Sequence, residues 1–239
     1  MNAQTPQRYG IGLQPSSGGR QTLATAWFLI AACVIIEVFI QLGEWGVFGG
    51  TRIRATAYEY FGFWPGLLGN WRPNYELQPY SMFVTYSFLH GGLLHLALNM
   101  VTLWSLARVV VARVGELRFA FIYSVSILGG ALGFWLLTDT LQPMVGASGA
   151  LFGLAGALVS WNYLDRFLLD QGLLPVLQTI LLLIVLNIAL WWAMDGQLAW
   201  ETHLGGFVSG WIAAMLVDPR GRPLGQAEQP ANPKDTSGQ

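Results

Sequence analysis

One apolar segment of the chain reads Gly146-Ala147-Ser148-Gly149-Ala150-Leu151-Phe152-Gly153. A hydroxyl inside a membrane segment is costly, so such polar groups usually face a cavity or carry out a function. Gly149 and Gly153 lie four residues apart, and small residues at this spacing allow two membrane helices to approach closely. The segment therefore predicts a closely packed membrane helix with a functional polar side chain near its start.

The overall composition is typical of a membrane protein. Of the 239 residues, 54% are hydrophobic and 10% are charged, whereas soluble chains carry roughly 25% charged residues. The net charge of -1 offers no basic face, so we expect no nucleic-acid partner. Cys33 is the single cysteine and cannot form an internal disulfide. We interpret the chain as one all-α, polytopic domain that lies in the lipid bilayer.

Six apolar segments are candidates for membrane spans. They cover about residues 22–42, 84–111, 117–137, 145–163, 173–194 and 202–217. The connection 43–80 is aromatic and rich in glycine, and we expect an interfacial loop with short amphipathic pieces there. Residues 1–21 and 219–239 are predicted to be disordered cytoplasmic tails on either side of a six-span domain, 22–218. Glu37 lies near the end of the first segment and is expected to reach the interface.

The distribution of positive charge predicts the orientation of the chain. If the amino terminus is inside, the inner segments contain Arg8, Arg20, Arg108, Arg113, Arg118, Arg166, Arg220, Arg222 and Lys234. The outer segments then contain only Arg52, Arg54 and Arg72, all in the first loop. We therefore expect a multi-pass cell-membrane protein with both termini in the cytoplasm. A six-span core without a cleaved signal peptide or other targeting segment suggests a bacterial inner membrane.

This topology gathers the polar residues of the spans in one layer near the outer face. The second, fourth and sixth spans all begin there, and the residues at their starts are His90, His95 and Asn99, then Ser148, then His203. From Ser148 to the end of its segment is roughly 24 Å of helix, against about 30 Å of hydrocarbon. If the charged residues that follow pin its inner end at the interface, Ser148 is recessed in a pocket that water can enter.

Small residues also predict which helices meet. Gly206 and Gly210 form a stripe on the sixth span, on the face that carries His203. If this stripe packs against Gly149 and its neighbours, His203 arrives beside Ser148. A serine hydroxyl is a poor nucleophile until a base within hydrogen-bond reach takes its proton, and His203 would be that base.

An oxyanion hole is predicted close to the same serine. Ser148 opens a helix, so its N–H has no acceptor within the helix and lies at the positive end of the helix dipole. His95 and Asn99 are four residues apart, hence on one helix face, and both can donate hydrogen bonds to a developing negative charge. His90 precedes two glycines at the edge of the loop, where we expect it to brace the structure.

Each of these features alone has a simpler explanation. A Gly-Ala-Ser-Gly-Ala sequence in a membrane helix more often serves packing, and Phe152 either stacks on the ring of His203 or fills the core. Three histidines and Glu201 suggest a metal site, but His90 and His95 are spaced poorly for shared ligation from one helix. We therefore expect neither a metal nor a cofactor. A channel or transporter would need polar residues along a path across the membrane, and the inner halves of the spans offer almost none.

Four groups of residues, taken in order, are similar to one known family. They are His90-Gly91-Gly92-Leu93-Leu94-His95 with Asn99, then Gly115-Glu116-Leu117-Arg118-Phe119, then residues 146–153, and then His203-Leu204-Gly205-Gly206 through Gly210. On these motifs the chain resembles the rhomboid family of intramembrane serine proteases over about residues 80–218. The resemblance departs at one place. The Trp-Arg pair that family members often carry before the second span is replaced by Tyr80-Ser81-Met82-Phe83.

The resemblance implies a six-helix bundle that cleaves the transmembrane segments of other proteins without a cofactor. Ser148 would be the nucleophile and His203 the general base, in a dyad that lacks an aspartate. His95, Asn99 and the N–H of Ser148 would form the oxyanion hole, and Phe152 would pack on His203. The residues expected to support this site are His90, Gly146, Gly149 and Gly206. A second hypothesis is a catalytically inactive relative that binds membrane helices as a chaperone or escort.

Overall fold

The structure is a computed structural model that describes residues 22–47 and 52–218. In chain order its helices are α1 (Ala24–Glu44), α2 (Ile53–Phe61), α3 (Gln78–Thr85), α4 (Leu93–Val114), α5 (Glu116–Leu137), α6 (Ser148–Leu168), α7 (Leu174–Ala193) and α8 (Trp200–Leu216). The described residues contain no sheet, only an isolated antiparallel bridge between Phe63 and Met144. The predicted tails, 1–21 and 219–239, lie outside the described residues. The architecture is all-α, as the sequence predicts.

The six long helices occupy the six predicted segments, with two differences. α4 begins at Leu93 rather than near residue 84, because Tyr86–Phe88 forms a separate 3-10 turn. α6 begins at Ser148 and ends at Leu168, five residues beyond the predicted end at about residue 163. Its 21 residues correspond to roughly 31 Å of helix. The predicted recess of Ser148 therefore does not follow from a short helix.

Four of these helices, α1, α4, α5 and α7, are long and apolar enough to cross a membrane. α8 has 17 residues, and α6 is rich in glycine and alanine and buries much of its surface inside the bundle. The chain is a multi-pass membrane protein, and the count of six spans stays a prediction.

The contact between α6 and α8 is built from glycine. A Cβ atom on Gly206 would overlap the carbonyl oxygen of Gly149, and one on Gly210 would overlap that of Gly153. Lipid tails are as apolar as leucine, so membrane helices associate through close van der Waals packing rather than through the hydrophobic effect. The missing side chains let the two backbones touch, and this close approach fixes α8 against α6.

A second glycine contact joins α8 to α5. A Cβ on Gly205 would overlap the carbonyl oxygen of Gly129, and one on Gly133 would lie 2.7 Å from the carbonyl oxygen of Glu201. This contact was not predicted from the sequence, although Gly129 and Gly133 show the same four-residue spacing as the stripe on α6. α8 is consequently held on two sides by backbone atoms.

The end of the bundle that lies away from Ser148 is held by polar contacts. The guanidinium of Arg113 on α4 lies 3.0 Å from the carboxylate of Asp165 on α6, and its carbon lies 4.9 Å from the centre of the Trp161 ring. The indole N–H of Trp161 donates to the carbonyl oxygen of Ala214 over 3.1 Å. α4, α6 and α8 are thus linked at the end opposite Ser148.

α7 is packed much more loosely than the other long helices. Within the described part of the chain, Val176 is its one fully buried residue. Its large apolar side chains are exposed, with Leu182 at 65% and Trp192 at 79%. In a bilayer these side chains meet lipid, which solvates them as well as another helix would.

A partly buried charge cluster anchors the first loop to the end of the bundle that carries Ser148. The guanidinium of Arg54 on α2 contacts Glu37 at 2.8 Å and Glu44 at 2.8 Å, and it donates to the carbonyl oxygen of His90 over 2.7 Å. Glu37 is wholly buried, so the expectation that it reaches the interface is wrong. Its charge is compensated by pairing with Arg54 rather than by water.

Candidate active site

Ser148 and His203 are brought together at the starts of α6 and α8. Ser148 Oγ lies 2.8 Å from His203 Nε2, and the side chain of His203 is buried. Gly149 follows the serine directly, and Gly206 lies one turn beyond the histidine on the same face. The glycine contact between the two helices therefore sets the distance between the two side chains.

The turn that leads into Ser148 is shaped by its backbone. Gly146 has a φ of 126°, a conformation that side chains of other residues disfavour, and its N–H donates to the carbonyl oxygen of Tyr86 over 3.0 Å. Met144 exchanges two hydrogen bonds of 3.0 Å with Phe63 of the first loop. Ser148 is the first residue of α6, so its N–H has no acceptor within the helix.

The imidazole of His203 is held by two further side chains. Phe152 stacks on it, with ring centres 4.2 Å apart and planes at 7°. Its Nδ1 lies 2.9 Å from Oδ1 of Asn187 on α7. Because an amide oxygen only accepts, this contact requires the proton on Nδ1, which leaves Nε2 to accept a hydrogen bond from the hydroxyl of Ser148. Asn187 was not predicted from the sequence, although an amide in the apolar second half of a membrane helix is a signal that could have indicated it.

His95 presents a hydrogen-bond donor to the same space. The N–H of Gly91 donates to His95 Nδ1 over 3.1 Å, so Nε2 carries the ring proton. A Cβ built on Gly146 would lie 3.1 Å from His95 Nε2 and 3.8 Å from Ser148 Oγ. Both atoms therefore border one small volume, and a bulkier residue than Gly146 would fill it.

Asn99 and His90 lie behind His95. Among the described residues, neither lines the cavity over Ser148. The amide of Asn99 donates to the carbonyl oxygen of His95 over 2.8 Å, and the His90 ring meets the His95 ring edge-on at 5.3 Å. The carbonyl oxygen of His90 accepts from Arg54 and from Tyr58, at 2.7 and 2.8 Å. Burial raises the pKa of Tyr58, which keeps its hydroxyl protonated as a donor.

A cavity of about 710 Å³ opens over Ser148 and His203. Its walls are His95, the turn before α6, and the connection between α7 and α8. A second, apolar pocket of about 420 Å³ lies on the other side of His203, between α7 and the pair α6 and α8. His203 thus lies between the larger cavity, which it shares with Ser148, and the apolar pocket.

The chemistry available here is that of acyl transfer. Residues 22–47 and 52–218 include no group of three or more His, Cys, Asp or Glu placed to hold a metal ion. Ser148 has a base, His203, at hydrogen-bond distance, and Asn187 orients this base. The donors His95 Nε2–H and the N–H of Ser148 lie beside the small free volume at Gly146. These are the parts that a serine hydrolase needs.

Comparison with known proteins identifies the family. The family model described as the Rhomboid domain matches residues 77–220, which is more than half of the chain. The chain belongs to the rhomboid family. The matched range contains Ser148, His203, His95 and Asn187, and it leaves out the part of the first loop that carries Arg54.

Individual relatives agree with this assignment. RHOMBOID-like protein 5 of Arabidopsis thaliana is 35% identical over 132 residues, which are 54% of this chain and 41% of the relative. Rhomboid protease GluP of Bacillus subtilis is 32% identical over 131 residues, 54% of this chain and 24% of the relative. RHOMBOID-like protein 1 of Arabidopsis thaliana is 32% identical over 149 residues, which are 62% of this chain and 36% of the relative. The matched part is less than half the length of each relative.

Proposed function

We propose that the chain is an intramembrane serine endopeptidase that cleaves transmembrane segments of other membrane proteins. The observation that carries this proposal is the 2.8 Å separation between Ser148 Oγ and His203 Nε2, at the edge of a cavity bordered by His95. Membership in the rhomboid family supports it, and one relative bears the name of a rhomboid protease.

The first half of the reaction is acylation of Ser148. Its Oγ attacks the carbonyl carbon of the scissile peptide bond while its proton passes to His203 Nε2. The carbonyl oxygen becomes an oxyanion, which accepts hydrogen bonds from His95 Nε2–H and the N–H of Ser148. We also propose Asn99 as a further donor. Its amide bonds to the carbonyl oxygen of His95 and does not line the cavity, so it has to turn toward the oxyanion to donate its second N–H.

The second half of the reaction frees the enzyme. The tetrahedral intermediate collapses, the C–N bond breaks, and the imidazolium of His203 gives its proton to the departing amine. A water molecule in the cavity then attacks the acyl group on Ser148, and His203 takes and returns one proton again. The product acid leaves and the hydroxyl of Ser148 is restored.

A helical peptide bond is shielded by its own helix, so the substrate segment has to unwind near the cavity. Segments with helix-breaking and small residues lose the least on unwinding, and we expect them to be preferred. The cavity opens at the end of the bundle that the charge distribution assigns to the outer face. We therefore propose a bacterial inner-membrane enzyme, with 22–218 as the protease domain and both termini in the cytoplasm.

Two substitutions test this function directly. Ser148→Ala and His203→Ala are each expected to lower cleavage of a reconstituted single-span substrate by about a thousandfold or more. Ser105→Ala serves as the matched control, because Ser105 is exposed on α4 and bonds only to Val101 of its own helix. Normal turnover by the Ser148→Ala variant would overturn the proposal.

Covalent labelling separates the enzyme from an inactive membrane-helix chaperone or escort. A serine-directed fluorophosphonate is expected to modify the wild-type protein and the Ser105→Ala variant, and to leave Ser148→Ala unmodified. If the wild-type protein bound single-span proteins without reacting with the probe, the chaperone function would be favoured instead.

A further inference from the structure

A single amide links α7 to the candidate dyad. Asn187 Oδ1 accepts from His203 Nδ1 over 2.9 Å. Within residues 22–47 and 52–218, this is the one side-chain hydrogen bond between α7 and another helix. Every other side chain that α7 presents to the pocket in front of α6 and α8 is apolar, as with Leu183 and Ile184.

The bond selects one form of the histidine. A neutral imidazole carries its proton on either nitrogen, and only the Nδ1–H form leaves Nε2 free to accept a proton from Ser148. In the other form Nε2–H would donate to the serine oxygen, and no base would be available. The amide oxygen of Asn187 can only accept, so it favours the productive form and stabilises Nδ1–H when the ring becomes charged.

We propose that Asn187 is a positioning residue for His203. This inference rests on the proposed protease function, because it assigns a third member to the same site. Among the described residues, Asn187 does not line the cavity over Ser148, and it acts through the ring of His203.

The loose packing of α7 leaves the amide of Asn187 as the polar link between this helix and His203. Val176 is the one described residue of α7 that is fully buried, and it lies near the inner end, far from Asn187. An apolar pocket of about 420 Å³ separates the outer half of α7 from α6 and α8. Asn187 is therefore the one described side chain of α7 that holds the ring of His203 by a hydrogen bond.

Two substitutions that keep the branched shape and the number of non-hydrogen side-chain atoms separate the hydrogen bond from packing. Asn187→Leu removes the acceptor and is expected to lower kcat by about tenfold to a hundredfold, with KM changed by less than about threefold. Asn187→Asp keeps an acceptor oxygen and is expected to restore kcat to within about threefold of wild type. Leu183→Ala, one turn away on the same pocket wall, is the control and should leave kcat within about twofold.

The outcomes distinguish this inference from the protease function itself. If the wild-type protein cleaves the single-span substrate and Asn187→Leu does so with an unchanged kcat, only the role of Asn187 is overturned. The same holds if Asn187→Asp is no more active than Asn187→Leu. If the wild-type protein neither cleaves nor reacts with a fluorophosphonate, the protease function fails and the positioning role fails with it.

Nuclear magnetic resonance gives a readout that does not depend on turnover. The chain has three histidines, so ¹⁵N-histidine labelling in detergent micelles yields few signals to assign. We expect His203 to be protonated at Nδ1 in the wild-type protein and in Ser148→Ala. In Asn187→Leu this preference should be lost. A ring that keeps Nδ1 protonated in Asn187→Leu would overturn the proposal.

Discussion

The two helices that meet at His203 are held in opposite ways. α8 touches α5 and α6 through backbone atoms, at positions where a Cβ on Gly205 or Gly206 would overlap a neighbouring carbonyl oxygen. α7 has Val176 as its one fully buried described residue, and an apolar pocket separates the half that carries Asn187 from α6 and α8. One helix carries the imidazole and the other carries its hydrogen-bond acceptor, Asn187.

The difference shows what close packing requires in a membrane. Large apolar side chains gain little from a neighbouring helix, because lipid already surrounds them with equally apolar groups. Glycine gains more, since it lets backbones approach and brings many atoms into van der Waals contact. His203 is therefore fixed by glycine on α8, while the large apolar side chains of α7 leave that helix loosely packed against it.

The largest expected effect comes from breaking the tight contact. Gly206→Val places a branched side chain against the carbonyl oxygen of Gly149 and should lower the free energy of unfolding by about 3 kcal/mol, with loss of fluorophosphonate labelling. Unfolding in mixed micelles, followed by circular dichroism, measures the first effect. Gly172→Ala is the control, because a Cβ there meets nothing within 4 Å. A Gly206→Val variant as stable as this control would mean that the glycine contact does not hold α8.

An intermediate effect is expected where α6 meets the histidine ring. Phe152→Leu removes the stacked ring 4.2 Å from His203 and should cost about 1 kcal/mol of interaction, which corresponds to about a fivefold fall in kcat. Steady-state cleavage of the single-span substrate measures it. Phe167→Leu makes the same change at an exposed position on the same helix and should leave kcat unchanged. Equal effects from both variants would contradict a specific role of the stack.

The smallest effect is expected on the lipid-facing side of α7. Leu182 is 65% exposed, and Leu182→Ala should change the free energy of unfolding by less than about 0.5 kcal/mol, because lipid replaces the lost contacts. The same micelle titration measures it. A loss of several kcal/mol would show that α7 is packed as tightly as α8, and the comparison between the two helices would no longer hold.

Much of the fold and of the candidate site follows from local patterns. Apolar segments predict the six long helices, and the glycines around Ser148 predict which face of α6 approaches α8. The position of Asn99 is different, because its spacing from His95 predicts a shared face but not the bond from its amide to the His95 carbonyl oxygen, 2.8 Å long. Side-chain orientation depends on partners that spacing alone does not reveal.

Contacts between distant residues were the ones that sequence reasoning missed. Arg54 joins Glu37, Glu44 and the carbonyl oxygen of His90, three partners that no periodic pattern relates to one another. Asn187 likewise meets His203 from a separate helix. Such pairs form only when loops and helices have packed, so a buried carboxylate is easily mistaken for one that reaches the interface.

By itself the sequence determined that the chain folds into long membrane helices with a serine and a histidine at helix starts. The reason is energetic, since polar groups are costly in hydrocarbon and glycine at four-residue spacing marks helix faces that touch. Only the tertiary structure decided which nitrogen of His203 faces Ser148, because Asn187 lies on another helix and accepts the proton of Nδ1. The tightness of each helix also depends on its neighbours, and so α8 is held firmly while α7 is not.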